Sequence, residues 1–166
     1  LIPWTDAEPL RALSSVLRGA DRLRRTLIPS LLAARRTNET LFNTEIELFE
    51  IARVYLPRPN ALPDESLVLA LTSGRSFREV KGVIEAVVDR VAPGLVLDAV
   101  AAGVPLLDAG AACRLDLDGQ PLAFIGKLTK EGQDRFELRG ETVVAELRLA
   151  PLVERASLIL TSRPQS

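Results

Sequence analysis

The sequence contains no histidine, no methionine, one cysteine and only three lysines. Without histidine, the chain cannot form a Ser-His-Asp triad or a histidine-containing zinc site. The single thiol, Cys113, cannot form a disulfide within the chain. The missing methionine indicates that residue 1 is not a natural start, so we expect a piece of a longer protein. No apolar run approaches the ~20 residues that span a bilayer, which excludes a membrane helix.

The length and composition of the chain indicate one globular domain. The chain has 166 residues, of which 47% are hydrophobic and 26% are charged, and its net charge is −1. This composition is typical of a soluble domain with an adequate core. The near-neutral balance excludes a strongly basic nucleic-acid-binding protein, although it leaves room for a local basic patch.

Hydrophobic periodicity predicts an α+β fold. Residues 1–20 are interrupted by prolines and predict an irregular arm. Helices are predicted near residues 28–38 and 76–91, where Ser76 and Glu79 form a capping-box pattern. Strands are predicted at 45–56, 66–72, 113–118, 122–128 and 142–149, with short helical turns at 130–135 and 152–155. Too few helices separate these strands for a parallel sheet, so we expect an antiparallel one.

Two further expectations come from the strand patterns. Residues 45–56 carry apolar side chains on both faces, which predicts a strand covered on both sides. Asp118-Gly119 predicts a hairpin turn between two of the strands. Residues 95–105 have no clear pattern.

No residue set in the sequence predicts a catalytic, cofactor-binding or metal site. The segment around Gly126-Lys127 lacks the spacing of a phosphate-binding loop, so it is interpreted as a strand end. Asp116 and Asp118 flank a turn, and together with Glu50 they are interpreted as structural. Cys113 has no histidine to activate it and is interpreted as a core thiol.

The first helix offers two candidate surfaces. Its apolar stripe is wide enough for a subunit interface as well as a core, and we expect part of it to stay uncovered by this chain or to be covered by a second copy. The stripe consists of Leu23, Leu27, Ile28, Leu31 and Leu32. Around it lie arginines that form either a solvated face or a contact with RNA or an acidic partner: Arg22, Arg24, Arg25, Arg35 and Arg36.

Several segments in register resemble the beta subunit of bacterial phenylalanyl-tRNA synthetase. Residues 23–32, LRRTLIPSLL, are similar to the family's LRTSLLPGLL segment. Residues 47–55, ELFEIARVY, are similar to its LFEIGRVF, and residues 77–85 to its FFDLKGLVE. The Asp118-Gly119 hairpin and residues 143–147 continue the match, which covers roughly residues 20–155. The family's HPGRSA and LHPE motifs are mostly lost at residues 108–112 and 128–131.

The resemblance implies a class II synthetase-like antiparallel sheet flanked by helices, without a working active site. It places ATP, magnesium and phenylalanine in the alpha subunit, and it implies a cytoplasmic heterotetramer that acts on tRNA. The motif that carries an ATP-binding arginine in active enzymes matches Leu48-Phe49-Glu50 here, so we expect the chain alone to be inactive.

Two hypotheses follow for the function. In the first, residues 21–160 are a non-catalytic assembly domain that supports the alpha subunit, and residues 161–166 begin a linker to a further module. In the second, the chain is a free-standing module that binds RNA or protein through its arginine-rich first helix.

Overall fold

The computed structural model describes residues 3–12 and 21–156. The helices are α1 (Ile28–Thr40), α2 (Phe77–Val91), α3 (Lys130–Arg135) and α4 (Ala150–Val153). The strands are β1 (Leu48–Leu56), β2 (Asp64–Ser73), β3 (Asp98–Ala101), β4 (Leu107–Leu117), β5 (Gln120–Leu128) and β6 (Val143–Arg148). The predicted linker at 161–166 lies outside the described residues, as do 1–2 and 13–20 of the predicted arm.

The six strands form one antiparallel sheet in the order β1-β2-β6-β5-β4-β3. The predicted α+β class and antiparallel sheet are therefore confirmed. No helix of the described residues is long and apolar enough to span a membrane.

Local sequence signals explain the elements that were predicted best. Ser76 and Glu79 form the complete capping box of α2, with each side chain accepting the other residue's backbone N–H. The Ser76 hydroxyl also donates to Glu79 Oε2 at 2.7 Å, and this hydrogen bond, together with that from the Ser76 N–H, holds the pKa of Glu79 below its ordinary value. Asp118 and Gly119 have φ of 52° and 74°, the left-handed conformation that a tight hairpin between β4 and β5 requires.

Helices cover both faces of the sheet. Helix α2 packs on one face, which we call the α2 face, over a core that includes Ile84, Leu115 and Leu147. Helix α1 and the segment around Trp4 pack on the opposite face, the α1 face, over two further apolar clusters. The described part of the arm has no helix or named strand, although an isolated bridge joins Arg11 to Arg22.

One strand was not predicted, and one prediction about a strand is wrong. Strand β3 was not predicted because all four of its residues are exposed, which leaves no buried alternation to detect. Strand β1 is not covered on both sides, since it lies at the sheet edge and its α2 face is open: Phe49 is 72% exposed and Ile51 is 50% exposed. Helix α2 packs mainly on β5 and β6 and does not cover this edge.

Candidate functional site

The most developed polar arrangement is a buried carboxylate on β6. Glu146 is fully buried on the α1 face. Its Oε1 accepts the Leu27 N–H at 2.7 Å, and its Oε2 accepts the Thr26 hydroxyl at 2.8 Å and the Trp4 Nε1–H at 2.6 Å. We call these four residues the Glu146 network.

The Glu146 network explains how α1 begins. Leu27 is the N-cap residue of α1 but makes no side-chain capping bond, and the first turn carries no acidic residue. Glu146 supplies both missing features from a distant strand, because its carboxyl accepts an orphan N–H at the positive end of the helix dipole. The carboxyl thereby fixes α1 and the Trp4 segment on the sheet.

Burial governs the ionisation of this network. Desolvation raises the pKa of Glu146 above its ordinary value, against the lowering effect of its three hydrogen bonds. Beside it, the Arg148 guanidinium lies 4.4 Å from the centre of the Trp4 ring, and burial lowers the pKa of Arg148. Trp4 also packs edge-on against Phe124, with ring centres 5.0 Å apart.

The network leaves no room for a substrate at its centre. Both carboxyl oxygens of Glu146 accept hydrogen bonds, and the side chain is fully buried. On the same face, β1 presents no cation, since its side chains there are Leu48, Glu50, Ala52, Val54 and Leu56. Within the described residues, no group of three or more Cys, Asp or Glu side chains is placed to hold a metal ion.

The predicted apolar interface of α1 is mostly core. Leu27, Ile28, Leu31 and Leu32 are between 0% and 5% exposed within the single chain, and only Leu23 is half-buried. The expectation that this stripe stays uncovered is therefore wrong for those four residues. Strands β1 and β2 cover Leu27 and Leu31, and a cluster with residues of β5 and β6 covers Ile28 and Leu32. The predicted subunit contact depended on these four residues being exposed, and that exposure is not found.

The predicted basic surface is largely neutralised by carboxylates. Arg24 pairs with Glu50 at 3.1 Å, and Arg36 pairs with Glu137. Arg25 is half-buried. The structure thus leaves less free positive charge along α1 than the sequence suggests.

Arg35 was predicted on that surface and is instead buried, at 5% exposure. It pairs with Glu39 at 3.2 Å and donates to the Ile46 carbonyl at 2.8 Å, while Glu39 accepts the Arg139 N–H at 2.8 Å. A buried guanidinium needs such partners, and these partners make Arg35 a structural clamp between α1 and two loops.

The interpretation of the remaining polar candidates as structural agrees with their contacts. Cys113 is buried, and burial raises the pKa of its thiol. Asp116 receives a bidentate hydrogen bond from Arg114, with both distances at 2.6 Å. Asp118 pairs with Arg155 at 2.9 Å, and Lys127 pairs with Glu141 at 2.6 Å.

Sequence reasoning missed the surface that the fold leaves open. Beside Phe49, an open groove of about 270 Å³ lies between the β1–β2 edge and α2, and its lining includes Leu71, Val80 and Val83. The alternating apolar residues of β1 were a usable signal, but they were interpreted as a sign of double coverage.

Comparison with solved structures defines the class of the fold. The chain resembles pyrrolysyl-tRNA synthetase from Desulfitobacterium hafniense with a TM-score of 0.62 and 19% identity, over 87% of this chain and 52% of that chain. A second structure from the same organism gives 0.60 and 20%, over 85% and 56%. The fold is that of a class II aminoacyl-tRNA synthetase.

Comparison of sequences identifies the family within that class. The family model for the phenylalanyl tRNA synthetase beta chain CLM domain matches residues 10–149. The chain is 37% identical to the phenylalanine–tRNA ligase beta subunit of Rhodopirellula baltica, over 95% of this chain and 25% of that protein. It is 34% identical to that of Symbiobacterium thermophilum, over 80% and 16%. The chain therefore belongs to the phenylalanyl-tRNA synthetase beta chain CLM domain family, a non-catalytic domain, and spans about a quarter or less of these relatives.

Proposed function

We propose that this chain is the non-catalytic domain of a phenylalanine–tRNA ligase beta subunit and supports the alpha subunit, which attaches phenylalanine to tRNA with ATP. The observation that carries the proposal is the closed centre of the α1 face at Glu146, beside which an open groove of about 270 Å³ is lined by Trp4, Phe124 and Arg114. Trp4 and the N-terminus of α1 fill this centre, and both carboxyl oxygens of Glu146 accept hydrogen bonds from these two segments. A sheet filled in this way holds partners in place rather than transforming a substrate.

The same observation supports assigning ATP and magnesium to the alpha subunit. Stabilising the charge on a transferring phosphoryl group requires a cation aimed at it. The α1 face of β1 offers only apolar side chains and Glu50, and Glu50 is already paired with Arg24.

The test is phenylalanine-dependent ATP–pyrophosphate exchange by the purified chain alone, the purified alpha subunit alone, and the two mixed. We expect background exchange from the chain alone, and we expect the chain to co-elute with the alpha subunit in size-exclusion chromatography. Exchange above background from the chain alone, or no association with the alpha subunit, contradicts the proposal.

A second measurement distinguishes the proposed function from the alternative in which the chain binds RNA. If arginines of the first helix held RNA, the chain alone would bind tRNA with an affinity that falls steeply with salt. We expect no such binding, because Arg24, Arg35 and Arg36 all have carboxylate partners. Salt-dependent binding that Arg24→Ala and Arg36→Ala weaken would favour the alternative.

A further inference from the structure

Residues 3–12, which we call the Trp4 segment, are joined to the sheet through one side chain. Within the segment, Trp4 belongs to both apolar clusters on the α1 face, and none of the other residues in it belongs to either. At the other end of the segment, two backbone hydrogen bonds of 2.8 Å and 2.7 Å join it to residues 21–23 and not to the sheet. Among the contacts of the described residues, those of Trp4 therefore anchor the segment.

The anchor consists of three contacts. The Trp4 Nε1–H donates to Glu146 at 2.6 Å, the ring lies 4.4 Å from the Arg148 guanidinium, and it packs edge-on against Phe124. The segment belongs to no helix or named strand in the described part of the chain. Releasing Trp4 therefore breaks these three contacts but no hydrogen bond of a helix or of the sheet.

The docked position of Trp4 also has a cost. It lies over Arg148, whose Nε is buried without a hydrogen-bond partner among the described residues, and beside the fully buried carboxyl of Glu146. Burying such groups is unfavourable because they lose their hydration. Water that enters when Trp4 leaves would restore part of that hydration. The docked state is therefore favoured by less than its three contacts suggest.

Water already reaches one side of the segment. Pro3, Trp4, Thr5 and Asp6 form one wall of the open groove of about 270 Å³ on the α1 face, and the groove is also lined by Arg114. Displacement of this wall joins the groove to the surface that Trp4 covers. The segment thus lies where its movement changes the access of solvent and solutes to the α1 face.

We propose that the Trp4 segment is a hinged lid on the α1 face. In the open state, Trp4 leaves the sheet while the sheet and α1 keep their structure, and the bonds to residues 21–23 hold the other end of the lid. Opening uncovers Phe124, Arg148 and the Glu146 carboxyl. The open state is the minor one, at about 0.1–10% of molecules. The proposed function rests on the docked state and does not require opening.

Hydrogen exchange followed by NMR tests the lid, and the Glu146 carboxyl supplies an internal comparison. It accepts one hydrogen bond from the lid, the Trp4 Nε1–H, and another from the start of α1, the Leu27 N–H. Each exchange rate is divided by the rate of the same group in an unfolded peptide to give a protection factor. We expect the protection factor of the Trp4 indole to be at least about tenfold lower than that of the Leu27 amide. The Leu27 amide should exchange as slowly as the amides of β6.

A matched pair of variants tests the anchor. Phe124→Leu removes the ring that packs against Trp4, so it should lower the protection factor of the indole by about twofold to tenfold relative to that of Leu27. Phe136→Leu is the same change in the same apolar cluster, at a ring that forms no pair with Trp4 in the described structure. It should leave the ratio of the two protection factors unchanged.

The outcomes that overturn the lid are distinct. Equal and high protection of the indole and the Leu27 amide means that Trp4 leaves only when the whole domain unfolds. A Leu27 amide that exchanges as readily as the indole means that the start of α1 opens as well. If Phe124→Leu leaves the ratio unchanged, or Phe136→Leu lowers it equally, the anchor is wrong. The alpha subunit takes no part in these measurements, so they are independent of the test of the proposed function.

Discussion

Replacing Glu146 with glutamine is the sharpest test of the buried network. A glutamine amide offers one oxygen and one NH₂ group. If the oxygen keeps the Leu27 N–H, the NH₂ group faces the Trp4 Nε1–H, and two donors then meet where 2.6 Å now separates donor from acceptor. The reversed amide places two donors at the start of α1 instead.

Either orientation of the glutamine leaves one buried donor without a partner. Such a loss costs about 1–3 kcal/mol of unfolding free energy. We expect this loss for Glu146→Gln relative to wild type, because the ionised carboxyl accepts from all three of its partners and the protonated carboxyl carries one O–H where the amide carries two N–H groups. The assay is urea unfolding followed by far-UV circular dichroism and by the fluorescence of Trp4, the only tryptophan of the chain.

The stability difference should also depend on pH. Because burial raises the pKa of Glu146 above its ordinary value of 4.5, the folded state binds the proton more tightly than the unfolded state. The stabilisation from this proton is complete below about pH 4.5 and declines as the pH rises through the folded-state pKa. The glutamine variant lacks this dependence, so its deficit relative to wild type should shrink as the pH rises above about 4.5.

The control is Glu141→Gln, which removes an exposed carboxylate that pairs with Lys127. An exposed ion pair contributes about 1 kcal/mol or less, so this change should have little effect. The reasoning is refuted if Glu146→Gln costs no more than the control at pH 5, or if its deficit grows as the pH rises.

Four further changes test the packing, each measured by urea unfolding. Leu27→Glu should cost about 4 kcal/mol or more, because Leu27 is fully buried in the chain; a folded variant that only loses a partner would contradict its core position. Arg35→Ala should cost about 3–5 kcal/mol because it leaves the buried Glu39 carboxylate with the Arg139 N–H but without its cation. A loss below about 1 kcal/mol, as for an exposed pair, would contradict the clamp. Gly82→Ala should stabilise α2 by about 0.5–1 kcal/mol, since nothing lies within 4 Å of the added methyl group. Gly132→Ala should cost about 1–3 kcal/mol, since its methyl group would lie 2.8 Å from a backbone oxygen. The opposite sign for either glycine would contradict that packing.

Elements defined by neighbouring residues could be predicted from the sequence. The capping box of Ser76 and Glu79 sets the start of α2, and the Asp118-Gly119 turn joins β4 to β5. Both depend on residues at most a few positions apart, so their signals are complete within a short window. The matching motifs along residues 20–155 likewise identified the family from the sequence alone.

The sequence alone did not determine which side chains are buried. The apolar stripe of α1 was expected to stay partly uncovered and β1 to be covered on both sides, yet Leu27 is fully buried and Phe49 is 72% exposed. The difference arises because α1 lies across the sheet, whereas α2 packs on β5 and β6 and leaves the β1 edge open. Periodicity shows that a face is apolar, but it does not show what covers that face.

Only the tertiary structure brought Glu146 to the start of α1. The carboxyl and the Leu27 N–H are 119 residues apart along the chain, and neither residue carries a local capping pattern. Likewise, Arg35 resembled its basic neighbours in sequence until the fold placed Glu39 and the Ile46 carbonyl around it. A charged group can be buried only where partners compensate for its lost hydration, and those partners are assembled by the fold as a whole.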